Sequence, residues 1–253
     1  MRVMRKTPRA NRAPCVIIER STPAHVVREG ASASAPHADL IGSHQRETRV
    51  RGGYVPPHPS RRLLAIADDL SGAAETAAGL LSRTTRSRVL LVHPVTLRQE
   101  LTDVPAAPGE ATVLDLDSRY LPPAPAADRV RAALAAVAPD TPVLAKIDSL
   151  LRGNTAATAA TLAEAGAPVL AAPALPAAGR TVRAGVVHLG DTPLHLTDAW
   201  RVEATAPPRS LAEAFAPLPV ELIDLATVRA PRTRLAAALA AATAAGRLAA
   251  CDA

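Results

Sequence analysis

The chain has 253 residues, 48% of them apolar, which is enough to build a core. With one Trp, one Phe and two Tyr, that core has to be packed from Ala, Val, Leu and Ile. The formal charge of +6 resides in the first 62 residues, which hold 12 Arg and Lys against 4 Asp and Glu; the remainder holds 17 against 19, a balance that argues against a nucleic-acid partner.

Residues 1–61 mix Arg, Pro, Ser, His and Gly without a hydrophobic period and end on GGYVPPHPS, so they read as a disordered basic leader and linker. The first 21 residues lack the apolar stretch of a secretory signal, and no later segment has the length to span a bilayer. Cys15 and Cys251 make neither a disulfide framework nor a metal set. These features point to the cytoplasm, with no membrane partner.

From residue 62 to 253 the pattern is that of one domain. Apolar runs at 63–67, 88–93, 112–116, 142–147, 168–173, 220–224 and 248–253 read as strands. Between them, alanine-rich stretches at 73–82, 125–138, 155–165 and 232–245 read as helices. Continuous apolar strands alternating with helices imply an α/β fold, a predominantly parallel sheet with helices on both faces. Residues 179–197 have no helical period and read as a loop followed by a small hairpin-like insertion.

In such sheets ligands sit beyond the carboxyl ends of the strands. Two loops there are rich in chemistry: ADDLSG after the first strand and KIDSLLRGN after the fourth. The second holds rare residues. Lys146 is the only lysine after Lys6, and Asn154 the only asparagine after Asn11. Lys146 and Asp148 share a strand face, and Arg152, Gly153 and Asn154 lead into a helix whose first N–H groups attract anions. Lysine and arginine at one pocket suit a carboxylate or phosphate, with Asp148 and Ser149 for hydroxyl groups. A purely structural role remains open for each: Asp68 and Asp69 ending a strand, Ser71 or Asn154 capping a helix, Lys146 snorkelling along the sheet. The histidines lack metal-ligand spacing, and neither G-x-x-x-x-G-K-[ST] nor G-x-G-x-x-G occurs. DLDSRY at 115–120 resembles a phosphatase nucleophile loop but follows the wrong strand for one.

Five segments in order, AIADDLSGAAETAAGL (65–80), DLDSRYL (115–121), KIDSLLRGN (146–154), PALPAAGRTVRAGVVHLGDTPLHLT (173–197) and the final CDA, resemble the four-carbon acid sugar kinases, which phosphorylate threonate, erythronate and oxo-tetronates. The resemblance spans residues 62–253 and implies the N-terminal, acid-sugar-binding domain of such a kinase. It implies substrate-loop roles for Asp68, Asp69, Ser71 and Gly72, for Lys146, Asp148, Ser149, Arg152 and Gly153, and for Gly179, Arg180 and Thr181, with no metal ligand among them. Ser71 and Leu150 stand where the family usually has threonine, and Ala74 and Glu75 where it has an Asn-Asp pair.

ATP and Mg are implied for the family, but the ATP-binding domain is expected to be absent here and supplied, where catalysis occurs, by a separate polypeptide. Alone, the chain is expected to be inactive. In this reading Lys146 and Arg152 hold the negative charge of a small acid sugar, and Asp68 or Asp69 orients or deprotonates its hydroxyl. The alternative is a truncated, non-catalytic acid-sugar-binding or regulatory α/β protein.

Overall fold

The structure is a computed structural model that describes residues 15–18, 63–81, 86–92, 110–138 and 141–253, the first stretch as backbone only. Eleven strands are β1 (Cys15–Ile18), β2 (Leu63–Ala67), β3 (Arg86–Leu91), β4 (Glu110–Asp115), β5 (Val143–Lys146), β6 (Val169–Ala172), β7 (Arg180–Arg183), β8 (Val186–Leu189), β9 (Thr192–Pro193), β10 (Val220–Ile223) and β11 (Leu248–Cys251). Helices are α1 (Leu70–Leu80), α2 (Pro123–Ala135), α3 (Thr155–Glu164), α4 (Leu211–Ala214), α5 (Leu225–Val228) and α6 (Arg232–Ala244). The main sheet runs β10-β11-β6-β1-β5-β2-β4-β3 with every pairing parallel. The expected α/β architecture therefore holds, with strand ends moved by about two residues, as helix and strand boundaries commonly are. His93 and Ser82, expected in a strand and a helix, lie outside the described residues.

Alternation along the strands sorts the core into two layers. Leu64 and Ile66 of β2 join Leu114, Val143, Ala145 and Ile147 on the face covered by α2 and α3. Ala65 and Ala67 face the other way, against Ala73, Ala77 and Leu80 of α1, with Val113 and Leu144 beside them. On α2, Ala126, Ala127, Val130, Ala133 and Leu134 are buried at helical spacing, after a proline that starts the helix without losing a needed N–H. A fully buried Leu or Ile on that side stabilises by about 1.5–3 kcal/mol. The alanines of α1 bury less area but let the helix approach β2 and β5 closely. Among the described residues, no helix is long and apolar enough to cross a membrane.

One expectation is corrected. Cys15–Ile18, assigned to a leader without elements, pair in parallel with β5 on one side and β6 on the other. A four-residue CVII run is too short to show a period, yet it is apolar and β-branched enough for a central strand position. The rest of the leader lies outside the described residues.

The expected hairpin-like insertion is a three-stranded antiparallel sheet, β7-β8-β9. Its β7–β8 turn is fastened to the chain end: Asp252 accepts from Ala184 N and Gly185 N, both at 2.9 Å. Val182 and Ala253 exchange a pair of backbone bonds at 2.9 and 3.0 Å.

Candidate functional site

The site is assembled at the carboxyl ends of β2, β4 and β5. After β2, Asp69 is the N-cap of α1: its Oδ1 accepts from Gly72 N at 2.7 Å, and its Oδ2 accepts from Ser71 Oγ at 3.0 Å. Ser71 therefore supports the cap instead of being it. The carbonyl of Asp68 accepts from Ser118 N at 2.8 Å and Arg119 N at 3.1 Å, which fixes the loop after β4 against the loop after β2.

That loop delivers a residue that the sequence had not singled out. Arg119 donates from Nε to Asp68 Oδ2 and from Nη2 to Asp68 Oδ1, both at 2.9 Å, and its Nη1 lies 2.5 Å from Asp69 Oδ2. One guanidinium fork thus holds both carboxylates of the doublet. Burial raises the Asp68 carboxyl above its ordinary value despite the opposing effect of Arg119. Burial lowers the basicity of Arg119, but the bonds and charges of Asp68 and Asp69 outweigh it and the net shift is upward.

After β5, Lys146 lies on the α1 face of the sheet and is 5% exposed. Its ammonium donates to Ile147 O at 3.2 Å and lies 3.6 Å from Glu75 Oε2 of α1. Gly72 makes this approach possible: a Cβ there would lie 2.8 Å from Asp69 Oδ1, 3.3 Å from Lys146 Cγ and 3.6 Å from Lys146 Nζ. The lysine ammonium and the Asp69 carboxylate therefore flank one glycine. Asp148 accepts from Arg152 Nε at 2.5 Å and from Arg152 Nη2 at 3.2 Å. Burial pushes the Asp148 carboxyl up, but the bonds and charge of Arg152 prevail and hold it below the ordinary value.

The same loop is anchored from below. Leu150 and Leu151 are buried in the main core, and Trp200 Nε1 donates to Leu150 O at 2.8 Å. Gly153 has φ +80°, and a Cβ on it would come within 3.0 Å of Asp68 Oδ2 and 3.1 Å of Arg119 Cγ. Asn154 precedes α3 but makes no side-chain cap bond to it. Its Nδ2 donates to Ser118 O at 2.8 Å and Leu121 O at 2.9 Å, with Arg119 O at 3.3 Å, so it clamps the Arg119 loop to the start of α3. A small pocket opens beside it, lined by Asp68, Ser118, Lys146, Asn154, Thr155 and Thr158 among others, and Thr155 Oγ1 is buried there without a hydrogen-bond partner.

From the third segment, Arg180 Nη1 donates to Ser149 Oγ, which ties β7 to the loop after β5. Gly179 ends a short 3-10 helix in a left-handed conformation, φ +68°. Thr181 follows on β7, with its Oγ1 buried and unpartnered.

The structure thus brings Asp68, Asp69, Ser71, Gly72, Lys146, Asp148, Ser149, Arg152 and Gly153 to one end of the sheet, joined through Ser149 to Arg180. It adds Glu75, Arg119 and Asn154. The expectation that Arg152 offers its charge to a ligand is modified, because that guanidinium is engaged by Asp148. What results is an alternation of cations and carboxylates around a buried ammonium. Such a set can hold a small polyhydroxy acid, its carboxylate at the ammonium and its hydroxyls donating to carboxylate oxygens.

The family model described as the sugar-binding N-terminal domain matches residues 63–253. The chain belongs to that family, the first domain of the four-carbon acid sugar kinases. A D-threonate kinase of Cupriavidus necator is 37% identical over 170 residues, covering 66% of this chain and 40% of that protein. A D-threonate kinase of Salmonella typhimurium is 33% identical over 142 residues, covering 54% of this chain and 32% of that protein. Among solved structures, a Bordetella bronchiseptica domain of unknown function with bound citrate, described as a domain-swapped dimer, superposes with a TM-score of 0.64 at 26% identity. That match covers 77% of this chain and 48% of the other. A Haemophilus influenzae protein gives a TM-score of 0.62 at 25% identity, covering 76% of this chain and 48% of the other. The chain thus spans less than half the length of each of these relatives.

Proposed function

We propose that this domain binds a four-carbon acid sugar of the threonate or erythronate class as the substrate-holding half of an ATP-dependent kinase. The observation that carries the reading is the buried ammonium of Lys146 set across Gly72 from Asp69, in a chain matched from residue 63 onward to a sugar-binding domain. Lys146 takes the substrate carboxylate. Asp69, whose side chain is 24% exposed against 13% for Asp68, is the carboxylate that a substrate hydroxyl can reach. Asp68, bound on both oxygens by Arg119, holds that arginine in place. Phosphoryl transfer is mainly positioning and charge stabilisation, and the domain's part is to fix the acid sugar with its hydroxyl aimed outward.

The described residues of this site do not fit the metal of Mg-ATP. Among the described residues no group of three or more His, Cys, Asp or Glu is placed to hold a metal, and Asp68, Asp69 and Asp148 are engaged by guanidinium groups. The nucleotide belongs to a second, nucleotide-binding half, and the two act in the cytoplasm. Calorimetry with D-threonate and D-erythronate tests the reading. Lys146→Ala weakens binding about tenfold or more, the worth of a charge-assisted contact of about 1.5–3 kcal/mol. Unchanged affinity removes Lys146 from the site. Release of ADP from Mg-ATP and threonate only when the remaining part of the Cupriavidus necator relative is added distinguishes a kinase half from a binding protein without turnover.

A further inference from the structure

The ion pairs of the cluster are not equally tight. Arg119 meets Asp68 at 2.9 Å and Asp69 at 2.5 Å, and Arg152 meets Asp148 at 2.5 Å, none of them longer than a charge-assisted hydrogen bond. Lys146 and Glu75 stand 3.6 Å apart. The two partners also differ sharply in burial: the lysine side chain is 5% exposed and the glutamate 56%. Glu75 sits on α1, one turn beyond Ser71, where its side chain can turn outward without moving backbone. A buried ammonium is costly unless it is paired, so some carboxylate has to stand beside it.

We propose that Glu75 is an internal place-holder for the ligand carboxylate. It covers Lys146 while the site is empty, and an incoming carboxylate displaces it into solvent. The inference rests on the reading of Lys146 as an anion-binding residue and extends it. Glu75 becomes a residue that sets affinity and selects among anions, since a ligand gains only the difference between its own contact and the one it replaces. Carboxylates able to approach closer than 3.6 Å, with hydroxyls to engage Asp69, win that exchange. Anions without hydroxyls win it less well.

Glu75→Gln tests this, because it keeps the size of the cover and removes its charge. Lys6 and Lys146 are the only lysines, so a chain labelled with 13C at lysine Cε gives two resonances that report the ammonium directly. In the variant the Lys146 resonance moves from its position in the parent, because the carboxylate 3.6 Å from the ammonium is gone. D-threonate binds about three- to tenfold tighter than to the parent, the range expected for loss of an ion pair with one buried and one exposed partner. Sulfate, a simple anion, is titrated in parallel. If sulfate gains affinity while no tetronate binds either protein, the place-holder stands and the acid-sugar reading falls. If neither anion binds the variant more tightly, or threonate binds it more weakly, Glu75 is no competitor and the proposal is overturned.

Discussion

Replacing Arg119 by alanine removes the group that holds both carboxylates of the acidic doublet. The side chains of Arg119 and Asp68 are 12% and 13% exposed, so the broken pair leaves a nearly buried carboxylate without its partner. Loss of one partner of a buried pair costs about 3–5 kcal/mol, and the slight exposure here reduces that to about 2–4 kcal/mol. For a domain of this size the melting temperature falls by about 5–15 °C, measured by thermal and urea unfolding. The loss has a pH signature. The Asp68 carboxyl already lies above its ordinary 3.8, through burial, with the arginine present, and removing the guanidinium raises it further. A carboxyl with a folded pKa above its unfolded one binds its proton more tightly when folded. The deficit relative to the parent is therefore full above the variant's folded pKa and shrinks as pH falls through it toward the parent's own, less strongly raised, value. Adding Asp68→Asn removes the stranded charge, so the double variant is more stable than Arg119→Ala alone. The reasoning is refuted if Arg119→Ala unfolds with the parent, or if the second substitution adds its full cost to the first.

Gly72→Ala lowers the melting temperature even though alanine favours helix by about 1 kcal/mol. Its Cβ would meet Asp69 Oδ1 at 2.8 Å and disturb a cap worth about 0.5–2 kcal/mol, so a rise in melting temperature contradicts the close approach. Asp148→Asn costs about 1–2 kcal/mol at neutral pH through loss of the charged pair with Arg152. Because the folded carboxyl titrates below 3.8, the parent's advantage is full above the unfolded pKa and disappears as pH falls through the folded one. Equal urea midpoints for parent and variant at pH 7 would contradict it. Amide hydrogen exchange tests β1: Val16 and Ile17, paired on both sides, exchange far more slowly than an open chain, and exchange at open-chain rates removes the strand from the sheet.

Much of this protein is written in short-range patterns. The apolar runs at 63–67, 142–147 and 248–253 and the alanine-rich stretches between them define alternating strand and helix, because the periods of 2 and 3.6 act within a dozen residues. The rarity of Lys146 and Asn154 marked the loop after β5, and ADDLSG marked the loop after β2. Partnership was another matter. Arg119 lies in the DLDSRYL segment, but nothing local separates it from the other residues there; its role arises because the order of β2 and β4 brings it to Asp68, 51 residues away. Asn154 drew notice as rare, yet its partners are carbonyls 33 to 36 residues distant. Glu75 reads as a polar position on a helix until α1 is laid across β5. The four residues of β1 carry too little pattern to be seen, and only pairing on both sides declares them a strand. The sequence alone determined the longer elements and the two loops because those depend on neighbours along the chain. Which charges meet was decided by the tertiary structure, because an ion pair depends on distance in space and the strand order sets that distance.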